Sequence, residues 1–203
     1  MTGGRFITFE GIDGSGKSTQ LRALAARLRE RGGTVVATRE PGGAPGAEEI
    51  RRLLVEGAPG RWSPETEILL FTAARRDHLE RVIRPALDRG ETVLCDRFVD
   101  STRAYQGIAR ADLRATVDAL HDLMIGREAD LTLILDLDPA RAVARERARG
   151  GTEDRFERFG TAFQVRLRAA YLALAEEFPA RCRVVPADGE AEAVAARIAE
   201  IVA

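Results

Sequence analysis

One eight-residue stretch, Gly11-Ile-Asp-Gly-Ser-Gly-Lys-Ser18, limits what this chain can fold into more than any other. It fits the pattern G-x-x-x-x-G-K-[ST], in which glycines such as Gly14 and Gly16 free the backbone to curl its N–H groups around phosphate oxygens. The pattern needs a strand leading in and a helix leading out, because the helix N-terminus supplies much of the positive potential. Both flanks qualify. Residues 5–10 form a short apolar run, and residues 19–31 repeat leucine and alanine at helical spacing. Lys17 is also the only lysine, the other 30 of the 31 basic residues being arginine. Random placement would put a lone lysine in this slot about once in thirty, so position 17 requires a compact ammonium rather than a guanidinium. Lys17 can reach terminal phosphate oxygens and the Ser18 hydroxyl can hold magnesium, so Gly11, Ile12, Asp13, Gly14, Ser15, Gly16, Lys17, Ser18 and Thr19 form the expected phosphate cradle.

The rest of the chain continues the alternation begun there. Residues 34–38, 92–95, 131–137 and 183–185 read as strands rich in Val, Leu and Ile without polar alternation, as strands buried on both faces do. Helices are expected over 47–56, 64–88 with a break near Pro85, 113–125, 139–149, 157–177 and 190–202. Such alternation implies an α/β fold, a doubly wound parallel sheet whose ligands sit beyond the carboxyl ends of the strands. No repeat or linker divides it, so the 203 residues are expected to form one domain.

Composition excludes several partners. The net charge of −1 leaves no basic field for nucleic acid or anionic lipid, so anion binding must be local. No uncharged run approaches the roughly 18 residues of a membrane span, and no signal-peptide pattern opens the chain, so a cytoplasmic location is expected. The two cysteines, Cys95 and Cys182, lie in apolar runs and read as core thiols of a reducing compartment.

Three further groups carry possible chemistry. The strand over 92–95 runs into Asp96-Arg97, a carboxylate able to orient magnesium beside a guanidinium able to fork onto phosphate. Leu133-Ile-Leu-Asp136 offers a rival acid, but Leu137 follows it where Arg97 follows Asp96, and Asp136 reads as structural. Arg145, Arg147, Arg149 and Arg155 surround Gly150 and Gly151, which suits either a cationic lid over about 145–156 or a solvated charged face. Phe71, Arg75 and His78 share a helix face, either to sandwich a nucleobase or simply to pack. His78 and His121 read as packing or surface residues rather than catalysts.

Together with the loop, Thr38-Arg-Glu-Pro-Gly-Gly43, Phe71-Thr-Ala-Ala-Arg75, Asp96-Arg-Phe98, Ser101-Thr-Arg-Ala-Tyr-Gln-Gly107 and Asp130-Leu-Thr-Leu-Ile-Leu-Asp136, in this order, resemble the bacterial thymidylate kinases. The resemblance runs from about residue 5 to the final helix. It implies a three-layer, five-stranded P-loop fold of the nucleoside monophosphate kinase type, usually homodimeric, that uses ATP and Mg2+ to convert dTMP to dTDP. Carried over by position, it makes Phe71 the stacking partner of thymine, with Arg75 on a carbonyl and Thr102 and Gln106 completing the base contacts. Arg97, aided by Arg39 and Arg51, grips the acceptor phosphate. Asp13 bonds the 3′-hydroxyl, Tyr105 crowds the 2′ carbon and Glu40 shapes the pocket. Arg145 joins the loop in binding ATP. Some family members carry an arginine at the position of Gly14 and none in the lid; this chain resembles the other subgroup, in which Arg149 and Arg155 supply the catalytic charge.

Rival readings are separable. A regulatory GTPase needs an Asn-Lys-x-Asp motif to read guanine, and a chain without asparagine, whose one lysine lies in the loop, cannot form it. A deoxynucleoside kinase would phosphorylate thymidine instead of dTMP, and a P-loop ATPase would need no acceptor.

Overall fold

Five strands, Phe6–Glu10 (β1), Val35–Arg39 (β2), Thr92–Asp96 (β3), Leu131–Asp136 (β4) and Cys182–Pro186 (β5), lie parallel in one sheet in the order β2-β3-β1-β4-β5. This computed structural model describes residues 4–58, 60–110, 112–148 and 160–203. Helices Lys17–Glu30 (α1), Pro45–Val55 (α2), Pro64–His78 (α3), Arg84–Asp88 (α4), Val99–Thr102 (α5), Arg114–Met124 (α6), Pro139–Ala148 (α7), Thr161–Glu177 (α8) and Ala191–Val202 (α9) connect and cover the strands.

Contrary to expectation, the edge strands β2 and β5 keep residues such as Val184 exposed, but the central strands β1, β3 and β4 are largely buried on both faces, as unalternating strands are. On one, Ile7, Phe9, Leu133 and Leu135 pack with Leu21 and Leu24 of α1, Leu167 and Tyr171 of α8 and Ile198 of α9. On the other, Phe6, Val93 and Cys95 pack with Ile68 of α3, Ile83 and Val117 of α6. Each fully buried Leu, Ile or Phe contributes about 1.5–3 kcal/mol, so the three layers hold together through apolar burial. Cys95 and Cys182 are buried free thiols. No helix of the described residues is long and apolar enough to cross a membrane.

Two segments depart from expectation. Near Pro85 the helix widens rather than breaks: after α3 a π turn spans Leu79–Ile83, and the Arg84 N–H pairs five residues back with the Leu79 carbonyl before α4 begins. Pro85 has no N–H to give and its ring crowds the preceding turn, so the helix loosens one turn early. Residues 99–110, not expected to be helical, form α5 and a second π segment, Arg103–Arg110. Gly107 disfavours a helix here. Buried ion pairs fix it instead, with Arg103 bonded to Asp100 at 3.0 Å and to Asp118 at 2.7 Å.

Register places the functional loops. Phe9 on β1 aligns with Asp96 on β3, and Arg39 on β2 aligns with Asp96 from the other side. The loops leaving β1, β2 and β3 therefore emerge side by side, where the sheet's topology predicts a ligand crevice.

Candidate active site

After β1 the chain turns sharply through Gly11 (φ +130°), Gly14 (φ +79°) and Gly16 (φ +99°) into α1. Gly14 is confined as well as left-handed: a Cβ there would lie 2.3 Å from the Ala142 carbonyl oxygen of α7. Inside the turn, Lys17 is buried and its Nζ donates to the Gly11 carbonyl at 3.0 Å and the Ile12 carbonyl at 2.9 Å, with Asp13 at 3.8 Å. Burial, then the Arg97 charge, lowers its pKa, while Asp13 and Asp96 oppose the shift. Ile12 is a core residue, Ser15 is buried with its Oγ unpartnered among the described residues, and Thr19 is exposed on the first turn of α1.

The loop opens into one cleft of about 440 Å³. Asp13, Gly14, Gly16, Lys17 and Ser18 line it, together with Asp96 and all the residues expected to bind the acceptor: Arg39, Glu40, Arg51, Phe71, Arg75, Arg97, Thr102, Tyr105 and Gln106. The Ser18 Oγ donates to an Asp96 oxygen at 2.6 Å. Asp136, the rival acid, is paired with Arg168 of α8 at 2.8 Å. Hard oxygens from one hydroxyl and one carboxylate suit Mg2+, which completes its octahedron with water and phosphate oxygens rather than an all-protein cage. No cluster of three or more His, Cys, Asp or Glu able to hold a metal occurs among the described residues.

Arg97 is the hub of the cleft. It is the only non-glycine residue at positive φ (+71°) among the described residues, a conformation costing about 1–3 kcal/mol that clusters at functional sites. Its guanidinium bonds Asp13, the Tyr105 hydroxyl at 3.2 Å and the Tyr171 hydroxyl at 3.0 Å, and the Tyr105 hydroxyl donates to Asp13 at 2.9 Å. Burial alone would raise the Asp13 carboxyl, but Arg97, Lys17 and these hydrogen bonds outweigh it and hold the pKa at about 2. Asp13 is therefore ionised at neutral pH and keeps two cations in place.

A second buried network surrounds Phe71. Arg75 donates through Nε to Glu40 at 2.7 Å and through Nη2 to Thr102 at 3.1 Å, and His78 meets Glu40 at 3.0 Å and Thr38 at 2.7 Å. Phe71 both packs against the core and lines the cleft. The π segment presents Tyr105 and Gln106 to the cleft. Gln106 gives its amide N–H to Glu67 at 3.0 Å, while its Oε1 is buried with no partner among the described residues. Arg39 pairs with Glu48 at 3.1 Å, and Arg51 donates to the Pro41 carbonyl at 2.7 Å. Arg145 bonds the carbonyls of Ala187 and Gly189 after β5, one turn along α7 from the Ala142 that abuts Gly14. Arg149 and Arg155 lie outside the described residues.

A family profile described as thymidylate kinase matches residues 9–198. The chain belongs to the thymidylate kinase family. It is 62% identical over 199 residues to the thymidylate kinase of Ruegeria pomeroyi, covering 98% of this chain and 94% of that one. It is 57% identical to that of Caulobacter vibrioides, covering 100% and 97%. A crystal structure of thymidylate kinase from Ehrlichia chaffeensis superposes with a TM-score of 0.82 at 35% identity, over 99% of this chain and all of that one. The five-stranded parallel sheet and P-loop agree with the fold implied by the sequence.

Pro41, Val55, Phe98 and Ser101 also line this cleft, and sequence reasoning did not single them out. Pro41, Phe98 and Ser101 each stand inside a segment that carries the family resemblance, which could have flagged them; nothing in the local sequence marks Val55.

Proposed function

We infer that this chain transfers the γ-phosphoryl group of ATP to dTMP, giving dTDP, and that it does so in the cytoplasm as a homodimer. One observation carries the catalytic reading: a single cleft is lined both by the P-loop and by an aromatic ring flanked by a buried arginine and an unpaired amide oxygen. Phe71 stacks on thymine, Arg75 donates to a ring carbonyl, and the Gln106 Oε1 accepts the ring N–H, with Thr102 beside them. Arg97 grips the acceptor phosphate with help from Arg39 and Arg51, Asp13 takes the 3′-hydroxyl, and Tyr105 walls off the 2′ carbon. Glu40 keeps the Arg75 fork aimed at the base. Arg145 stands on the ATP side of the loop, and exposed Leu69 on α3 and Leu123 on α6 support the homodimer.

Phosphoryl transfer has a loose transition state, so alignment and charge neutralisation are most of what the protein supplies. The P-loop N–H groups and Lys17 hold the donor's terminal phosphates while Arg97 brings the acceptor's phosphate in line. No general base is required, since a monophosphate oxygen is already anionic near neutral pH. Ser18 and Asp96 would hold Mg2+, which when bound neutralises developing phosphate charge.

An ADP-release assay with ATP and magnesium across nucleosides and monophosphates tests the reading. Turnover is expected with dTMP and not with thymidine. The reverse result would indicate a deoxynucleoside kinase, and acceptor-independent release an ATPase.

The two rings of the cleft should fail differently. Phe71→Ala removes stacking worth about 1–3 kcal/mol and should raise the KM for dTMP. Tyr105→Ala opens the sugar pocket and should raise the ribo-to-deoxy ratio of kcat/KM for 5-methyluridine monophosphate against dTMP. Tyr105 is buried and edge-packed on Phe163 at 5.8 Å, so Tm will fall too. A lower Tm with an unchanged ratio would reject Tyr105 as the sugar wall.

A further inference from the structure

Glu10, the last residue of β1, is completely buried yet carries a carboxyl. Burial, followed by the nearby Asp100 carboxylate, pushes it up to about 7, against the pull of Ser101, Arg97 and the Phe98 N–H. An acid in so costly a place needs a task. Its two oxygens point to one. The Oε1 accepts the backbone N–H of Phe98 at 2.7 Å, immediately after the left-handed Arg97. The Oε2 accepts the Ser101 hydroxyl at 2.6 Å and the Tyr171 hydroxyl at 3.3 Å. Those two hydroxyls lie 2.9 Å apart, and each accepts Arg97 Nη1 at 3.0 Å.

We propose that Glu10 is the positioning residue for Arg97. One oxygen clamps the backbone step that turns the arginine into the cleft, and the other aligns the two hydroxyls against which its guanidinium rests. The remaining contacts of the Arg97 backbone come from its own N–H to the Phe9 carbonyl and from the Cys95 thiol to its carbonyl, so β1 and β3 brace the strained residue from both sides. The arrangement spans β1, the loop after β3 and α8, with 161 residues separating Glu10 from Tyr171. A carboxamide at position 10 accepts at one end only, so either the Phe98 N–H or the pair of hydroxyls would meet a donor in place of an acceptor. The inference rests on the reading of Arg97 as the grip on the acceptor phosphate.

The test is a kinetic cycle of Glu10→Gln, Arg97→Lys and their combination, with Tm measured for each. Glu10→Gln is expected to lower kcat/KM for dTMP by about tenfold or more, since small misplacements of an aligning group have large effects, while the KM for ATP stays put. In the Arg97→Lys background the same change should have little further effect, because the two residues act as one unit. A lowered Tm with unchanged dTMP kinetics, or losses that simply multiply in the double variant, would overturn the proposal. Unaltered dTMP kinetics in Arg97→Lys alone would overturn the reading of Arg97 as well, which separates the two failures. If Glu10→Gln does not yield folded protein, Tyr171→Phe, which keeps the ring and removes one relay hydroxyl, enters the same cycle with the same two outcomes.

Discussion

Lys17→Ala is expected to abolish phosphoryl transfer while the protein still folds. The side chain is buried inside the P-loop, where its ammonium donates to the Gly11 and Ile12 carbonyls. Losing that donor costs stability of about 1–3 kcal/mol, which a thermal melt will detect without loss of the cooperative transition. The kinetic effect is larger. Removing one preorganised electrostatic contact from a transition state typically costs about 10²–10³-fold in rate, and Lys17 is the one cation inside the turn. Lys17→Arg should fail nearly as badly, since a planar guanidinium does not fit a turn whose ligands are two carbonyls on successive residues. The comparison is decisive because arginine is what the chain uses at every other basic position. Near-normal turnover in Lys17→Arg would show that the lone lysine carries no special meaning.

How much was legible in the sequence depended on whether a feature was local. The P-loop could be read because glycines, lysine and serine are adjacent, and the strands because their apolar runs are unbroken. Asp96 and Arg97 could be read because they end such a run. The segment 99–110 could not, since Ser101, Thr102 and Gly107 are weak helix formers and its helix depends on Arg103 reaching Asp118 and Glu128, residues distant in sequence. The same holds for the brace on Arg97. Glu10 looks like the polar end of a strand and Tyr171 like one more ring on α8; only the fold brings both within reach of Ser101. The shared helix face of Phe71 and Arg75 stood between these cases. Spacing alone could not choose between packing and ligand binding, and Phe71 packs on the core while lining the cleft.

The last large effect concerns the lid. Arg149 and Arg155 lie outside the described residues, but the P-loop itself bears on the family alternative. The family alternative, an arginine at the position of Gly14, is closed by geometry: residue 14 has φ +79°, and any side chain there would drive its Cβ to 2.3 Å from the Ala142 carbonyl oxygen. The close approach of α7 to the P-loop therefore argues against a side chain at position 14. If Arg149 or Arg155 neutralises charge on the transferring phosphoryl group, its replacement by alanine should lower kcat by about 10³-fold and change the KM for dTMP far less, since the contact strengthens only in the transition state. Gly14→Arg should not rescue either variant, because it must first displace α7. Solvated arginines on a charged face would predict almost no kinetic change. Steady-state kinetics of the two single variants and the double variant choose between these: near-normal kcat in all three would remove the lid from the mechanism.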